Sequence, residues 1–223
     1  MLNSIETIDE IANKIASTSD IVIFTFQGFY ELIARTNPTQ GGLSEFLVYS
    51  NQIVQGNLSD ITSTLRDGLH TLLERSLSDS ERLHFYSVRD SLKVEETAYE
   101  AFGAVFVQAK IEYARSLRNV IGARVFGMDT YNPDPKIMSR NGKRWNFSEY
   151  VYLSARQMLI DWYNFVKISY IAEKGFKQFN LLTENKDLID AVYEVEDYPE
   201  IAQTLFHPRT SKLVGQGVMD VQT

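Results

Sequence analysis

Tyr99-Glu-Ala-Phe-Gly-Ala-Val-Phe-Val-Gln-Ala-Lys-Ile-Glu-Tyr-Ala-Arg-Ser-Leu-Arg-Asn-Val-Ile121 is the stretch that decides the fold class. Tyr99, Phe102, Phe106, Ala109, Tyr113, Leu117 and Val120 recur at steps of three or four, with Ile121 beside the last. That spacing lines apolar side chains along one stripe of an α-helix. No proline interrupts from Ser80 to Asn132. One or two long helices are therefore expected over residues 80–122, with Gly122 as a C-terminal cap.

Working toward the N-terminus, Leu58, Ile61, Leu65, Leu69, Leu72 and Leu73 mark another helix, capped by Asn57 or Ser59 and separated from the next by Ser78-Asp79-Ser80. Leu43 to Gln55 reads as a helix ended by Gly56, and Asn37-Pro38-Thr39-Gln40-Gly41-Gly42 as a loop. Ile21 to Arg35 opens with strand-like composition, but its length and the placing of Phe29, Leu32 and Ile33 favour helix. Ser17-Thr18-Ser19-Asp20 is expected to break the chain before it. Ile5, Ile8, Ile11, Ala12 and Ile15 form a first helix, with Ser4 and Thr7 as caps and Thr7-x-x-Glu10 as a capping box.

Toward the C-terminus, Pro133 and Pro135 exclude helix from residues 127–136. Asn141-Gly142 suits a two-residue turn, so Lys136 to Phe147 is expected to form a small β-hairpin. Ser148 to Lys174, ended by Gly175, is apolar around most of its circumference, the mark of a central helix. Leu159, Trp162, Phe165 and Val166 should be largely buried there, with Phe102, Phe106 and Tyr113 packed nearby. A helix over Lys186 to Glu194 and a short one starting at Pro199 should follow, stopped by His207-Pro208. The fold expected is thus mainly α: one helical domain over 1–207, built as a long-helix bundle, with a protruding loop and hairpin at 123–147. An extended C-terminal arm over 208–223 completes it.

The 223 residues are 44% hydrophobic and 23% charged, ordinary for a folded chain. The absence of cysteine removes disulfides, thiolate nucleophiles and cysteine-ligated zinc. A net charge of −7 argues against global attraction to nucleic acid or an anionic membrane. Glu6, Asp9 and Glu10 stand where a signal peptide needs a basic and then an apolar run, so no signal peptide is expected. Arg156, Asp161 and Lys167 argue against a membrane span in the apolar helix after Ser148. The location expected is the cytoplasm, or a virus particle assembled there.

Catalytic signatures are missing. Gly122-x-x-x-x-Gly127 is followed by Met128, not by the lysine a P-loop requires. No GxGxxG follows a strand, no HExxH or GxSxG is present, and there is no pair of Glu-x-x-His motifs of the di-iron helix-bundle kind. His70, His84 and His207 are scattered and read as surface or half-buried helix residues. Glu96 and Glu100 share a helix face, and Glu149 and Asp161 lie on the helix after Ser148; all read as solvated or ion-paired groups rather than an acid–base pair. No catalytic residue, cofactor or metal is assigned.

Charge is unevenly spread. Lys110 to Arg144 carries eight basic residues against three acidic ones, whereas Thr183 to Glu200 carries seven acids against one base. Such segments can be solvated, pair within the chain, or meet between neighbouring subunits; binding of single-stranded nucleic acid is the lesser alternative. The expected contact residues are Lys136, Arg140, Lys143, Arg144, Trp145 and Phe147 on the hairpin. On the arm they are Arg209, Lys212, Leu213, Val218 and Val221, because the arm has too few apolar residues to hold itself down. The reading that follows is a non-enzymatic structural subunit that binds other protein subunits and forms a homo-oligomer. By analogy of architecture alone, it could be a connector, neck or tail ring component of a virus particle. The alternatives are a regulatory or inhibitory binding protein acting on a protein or nucleic acid, and a helical enzyme whose site the sequence hides.

Overall fold

A computed structural model of the chain describes residues 2–126, 137–138, 144–182, 192–197 and 218–220. Five α-helices hold well over half of the chain: α1 (Leu2–Thr36), α2 (Gln40–Ser76), α3 (Asp79–Val88), α4 (Val94–Phe126) and α5 (Phe147–Glu173). Between α3 and α4 a short 3-10 turn (Arg89–Leu92) ends at Lys93, whose left-handed backbone (φ 47°) breaks the helical run. The mainly helical class read from the sequence holds.

Several breaks expected from local composition do not occur. α1 passes straight through Ser17–Asp20 because the hydroxyls return their hydrogens to the preceding turn. Thr18 Oγ1 donates to the Lys14 carbonyl (3.0 Å) and Ser19 Oγ to that of Ile15 (2.9 Å), which lets Ser19 be buried at no unpaired cost. α2 likewise continues through Gly56, and Asn57, instead of capping, donates from Nδ2 to the Ile53 carbonyl (2.9 Å). Ser4 and Thr7 lie inside α1 rather than at its start, both buried. The capping box of the chain is at Ser78-x-x-Glu81: Ser78 Oγ accepts from the Glu81 N–H, and Glu81 Oε2 accepts from the Ser78 N–H (2.8 Å). α5 ends as its sequence implies. Gly175 adopts φ +79°, its N–H reaches the Ala172 carbonyl and the Phe176 N–H the Ile171 carbonyl, the paired bonds of a Schellman turn.

The residues cluster into two compact units. One comprises Lys14–Ser63 and Glu95–Tyr152. Its centre is aromatic: Phe26 meets Phe46 and Tyr113 edge-on (6.0 and 6.1 Å), and Tyr30 adds to Tyr113 at 5.8 Å. Along α4 the buried stripe is Phe102, Phe106, Ala109, Tyr113, Leu117 and Val120, with Ala98 buried where the pattern had placed Tyr99, which is exposed. β1 (Ile137–Met138) and β2 (Arg144–Trp145) form the hairpin, antiparallel, with Ile137 opposite Trp145 and Met138 opposite Arg144. A two-residue turn at Asn141-Gly142 would pair Met138 with Trp145, so the register differs by one from that expectation. The turn itself lies outside the described residues.

The other unit comprises Met1–Asn13, Thr64–Val94 and Leu153–Thr223. Leu65, Leu72, Leu73, Leu159 and Val166 are fully or almost fully buried in it, and Trp162 is buried too. Phe165 was expected with them but is 38% exposed, because it stands one turn after the exposed Asp161 on the outward strip of α5. Gly68 of α2 lets Ile11 of α1 approach so closely that a Cβ there would stand 2.7 Å from Ile11 Cγ2. A second sheet, unforeseen in the sequence, has the order β4-β3-β5, with β3 (Gln178–Leu182) central and β4 (Val192–Glu194) and β5 (Val218–Asp220) both antiparallel to it. The expected helix over Lys186–Glu194 is corrected at its end. Residues 192–194 are strand, with Phe179 stacked on Tyr193 at 5.7 Å, while 186–191 and the short helix from Pro199 lie outside the described residues.

Candidate functional site

The expected contact residues fare differently. Lys136, Arg140 and Lys143 on the hairpin, and Arg209, Lys212, Leu213 and Val221 on the arm, lie outside the described residues. Arg144 is placed by its backbone in β2, and Trp145 is half-buried. Phe147 is corrected: it is buried, its ring stacked on Phe106 at 5.5 Å, so it belongs to the core rather than to a projecting loop. Val218 opens β5 and pairs with Leu182 of the same chain, so this part of the arm is extended and held by its own β3.

A polar cluster that sequence reasoning missed joins α3 to α5. His84 is buried, with Nδ1 2.5 Å from Glu173 Oε2 and Nε2 2.8 Å from Ser169 Oγ. Beside it, Lys167 Nζ lies 3.3 Å from Glu81 Oε1, both side chains almost sealed from water. Burial alone would raise the Glu81 carboxyl. The hydroxyl and backbone N–H of Ser78 and the Lys167 ammonium outweigh it and hold the group below the usual glutamate value. Ser169, His84 and Glu173 have the connectivity of a nucleophile, base and orienting acid.

Two facts turn that resemblance toward structure. Ser169 Oγ also lies 3.0 Å from the Val166 carbonyl, and its one hydrogen can serve either that oxygen or His84. The backbone N–H groups after it are bonded within α5 and its closing turn, which leaves none for an oxyanion. The cluster therefore clamps two helices. The spacing of Ser169 and Glu173 marks one helix face, but their meeting with His84, 85 positions from Ser169, is tertiary and carries no local signal.

The other conspicuous feature is apolar. Phe24 is 78% exposed and Ile21 61%, and Leu32 is exposed on the same side of α1. On α2, Val48 is exposed and Tyr49 packs on Phe29 of α1 at 4.4 Å, beside a shallow hollow lined by Ser44, Glu45, Val48, Tyr49 and Gln52. α1 buries Val22, Phe26, Tyr30 and Ile33 on its opposite side, so it carries two apolar faces, one covered and one open. Among the described residues no group of histidines and carboxylates is placed to hold a metal, and no helix is long and apolar enough to cross a membrane. Glu96 and Glu100 are both exposed on α4. The chain has no significant match among family models, curated proteins or solved structures.

Proposed function

We propose that this protein is a non-enzymatic structural subunit that works by binding other protein subunits, copies of itself included. The observation that carries the reading is the open apolar face of α1 and α2, with Phe24, Ile21, Leu32 and Val48 facing water on helices whose opposite sides already fill a core. Several large apolar side chains left open to water on two helices that touch through Phe29 and Tyr49 are costly to keep wet and are characteristic of surfaces that meet a partner. The lopsided charge of segments 110–144 and 183–200 is consistent with subunits that present opposite signs to one another. A ring component of a virus particle is one form such a subunit could take. Light scattering on the purified full chain tests the proposal. A defined oligomer, or joint elution with another subunit, is the expected result. A chain that stays monomeric, joins no protein and retards single-stranded nucleic acid in a salt-sensitive manner would replace it with the regulatory reading.

A further inference from the structure

We infer that the open face of α1 is an antiparallel helix–helix interface with a second copy of this chain. The inference rests on the subunit-binding reading and names its partner.

The observation is a seam. Lys14, Ser17, Ile21, Phe24, Gly28 and Glu31 follow one another at steps of three, four, three, four and three, the spacing of a two-helix contact line. All six lie on α1 within one compact unit. Lys14, Ser17, Ile21, Phe24 and Gly28 are exposed, and the Glu31 side chain is 44% exposed. The buried face of the same helix runs along Ser19, Val22, Phe26, Tyr30 and Ile33, so the seam is a second line, on the far side.

The seam reads the same in both directions. Laid antiparallel about a two-fold axis between Ile21 and Phe24, every seam residue meets a seam residue of the other copy. Ile21 faces Phe24, Ser17 faces Gly28 and Lys14 faces Glu31, each pair occurring twice as a two-fold interface requires. The chemistry matches at each level. Two large apolar pairs sit at the centre, where water is best excluded. Next to them come two pairs of small residues, and a Cβ at Gly28 would meet nothing within 4 Å beyond its own helix backbone, leaving room for the partner backbone. At the ends come opposite charges, about 26 Å apart along the helix at 1.5 Å per residue. A parallel pairing would instead set Lys14 on Lys14 and Glu31 on Glu31, so charge selects the antiparallel arrangement. Glu31 now has Gln27 at 3.1 Å and Arg35 at 3.9 Å, both exposed contacts that are weak in water and can yield to a lysine across the interface.

Sedimentation equilibrium of the full chain should give twice the 25.5 kDa monomer mass. Phe24→Glu, at a position open to water and so tolerated by the fold, should weaken the dimer more than about a hundredfold, because each substitution enters the interface twice. Lys14→Glu and Glu31→Lys should each weaken it, and the double exchange should restore it. Because the chain has no cysteine, register can be read directly. Ser17→Cys mixed with Gly28→Cys should form a disulfide-linked dimer under mild oxidation, and neither variant should do so alone. A monomeric wild type, a dimer indifferent to Phe24→Glu, or crosslinking by Ser17→Cys alone overturns the inference. A chain that fails these tests yet still joins another subunit leaves the broader reading standing; a dimer that passes them but joins nothing further leaves only the interface.

Discussion

At the scale of single residues, the buried charges set the chemistry that stability will report. Lys167 and Glu81 are each nearly sealed, and removing one partner of such a pair leaves the other uncompensated. Lys167→Ala should therefore cost about 3 kcal/mol of unfolding free energy in urea titration. The Glu81 carboxyl is held below its ordinary value, so its contribution is present above that value and is lost as pH falls through the lowered one. Asp161 has the opposite sign. Although the residue as a whole is open to water, partial desolvation of its carboxyl pushes it up to about 6, against the Gln157 amide that donates to it at 2.8 Å. Its contribution is present below 3.8 and lost as pH rises through about 6. Asp161→Asn should thus raise the melting temperature at pH 8 and leave it unchanged at pH 3.5; an effect of equal size at both would show that the charge is irrelevant. Water reaches part of this side chain, so the gain should be smaller than the same shift would give in a sealed core.

At the scale of elements, two glycines of α2 separate propensity from packing. Gly56 is exposed and a Cβ added there would meet nothing within 4 Å beyond its own helix backbone, so Gly56→Ala should stabilise by about 0.5–1 kcal/mol. Gly68→Ala gains the same propensity but drives a methyl against Ile11, and the clash should make it net destabilising in the same thermal melt. These helices also show what local sequence can and cannot reveal. The α4 stripe was legible because Phe102, Phe106, Tyr113 and Leu117 repeat one period through three turns or more. Gly175 was legible because only its backbone freedom allows the closing turn. Ser17–Asp20 misled because serine and threonine hydroxyls favour caps when a helix can end, but bond the preceding turn when tertiary burial keeps it going. Phe147 misled because its neighbours are basic and its partner, Phe106, is 41 positions away. The open face of α1 was hidden by its own polar members, since a seam that mixes lysine, serine and glycine with Ile21 and Phe24 does not announce itself as apolar.

At the scale of the whole molecule, the β4-β3-β5 sheet was not legible at all, because strands of five, three and three residues carry too little periodicity to outweigh the helical composition around them. Its construction yields a prediction. Deleting residues 209–223 removes β5 and bares one side of β3, so amide protection within Asn180–Leu182 should fall in hydrogen exchange while far-UV circular dichroism keeps its helical signal. Unchanged protection would mean that β3 does not depend on β5. The same pairing has a consequence during biosynthesis. Leu182 and its partner Val218 are 36 positions apart, so at about 5–20 residues per second the ribosome takes roughly 2–7 s to pass from one to the other. Through that interval β3 is a strand with an unclaimed edge, the kind of surface on which nascent chains on one message can pair with each other. Shortening the wait, by faster codons between the two strands, should raise the yield of correctly folded chain without altering a single amino acid.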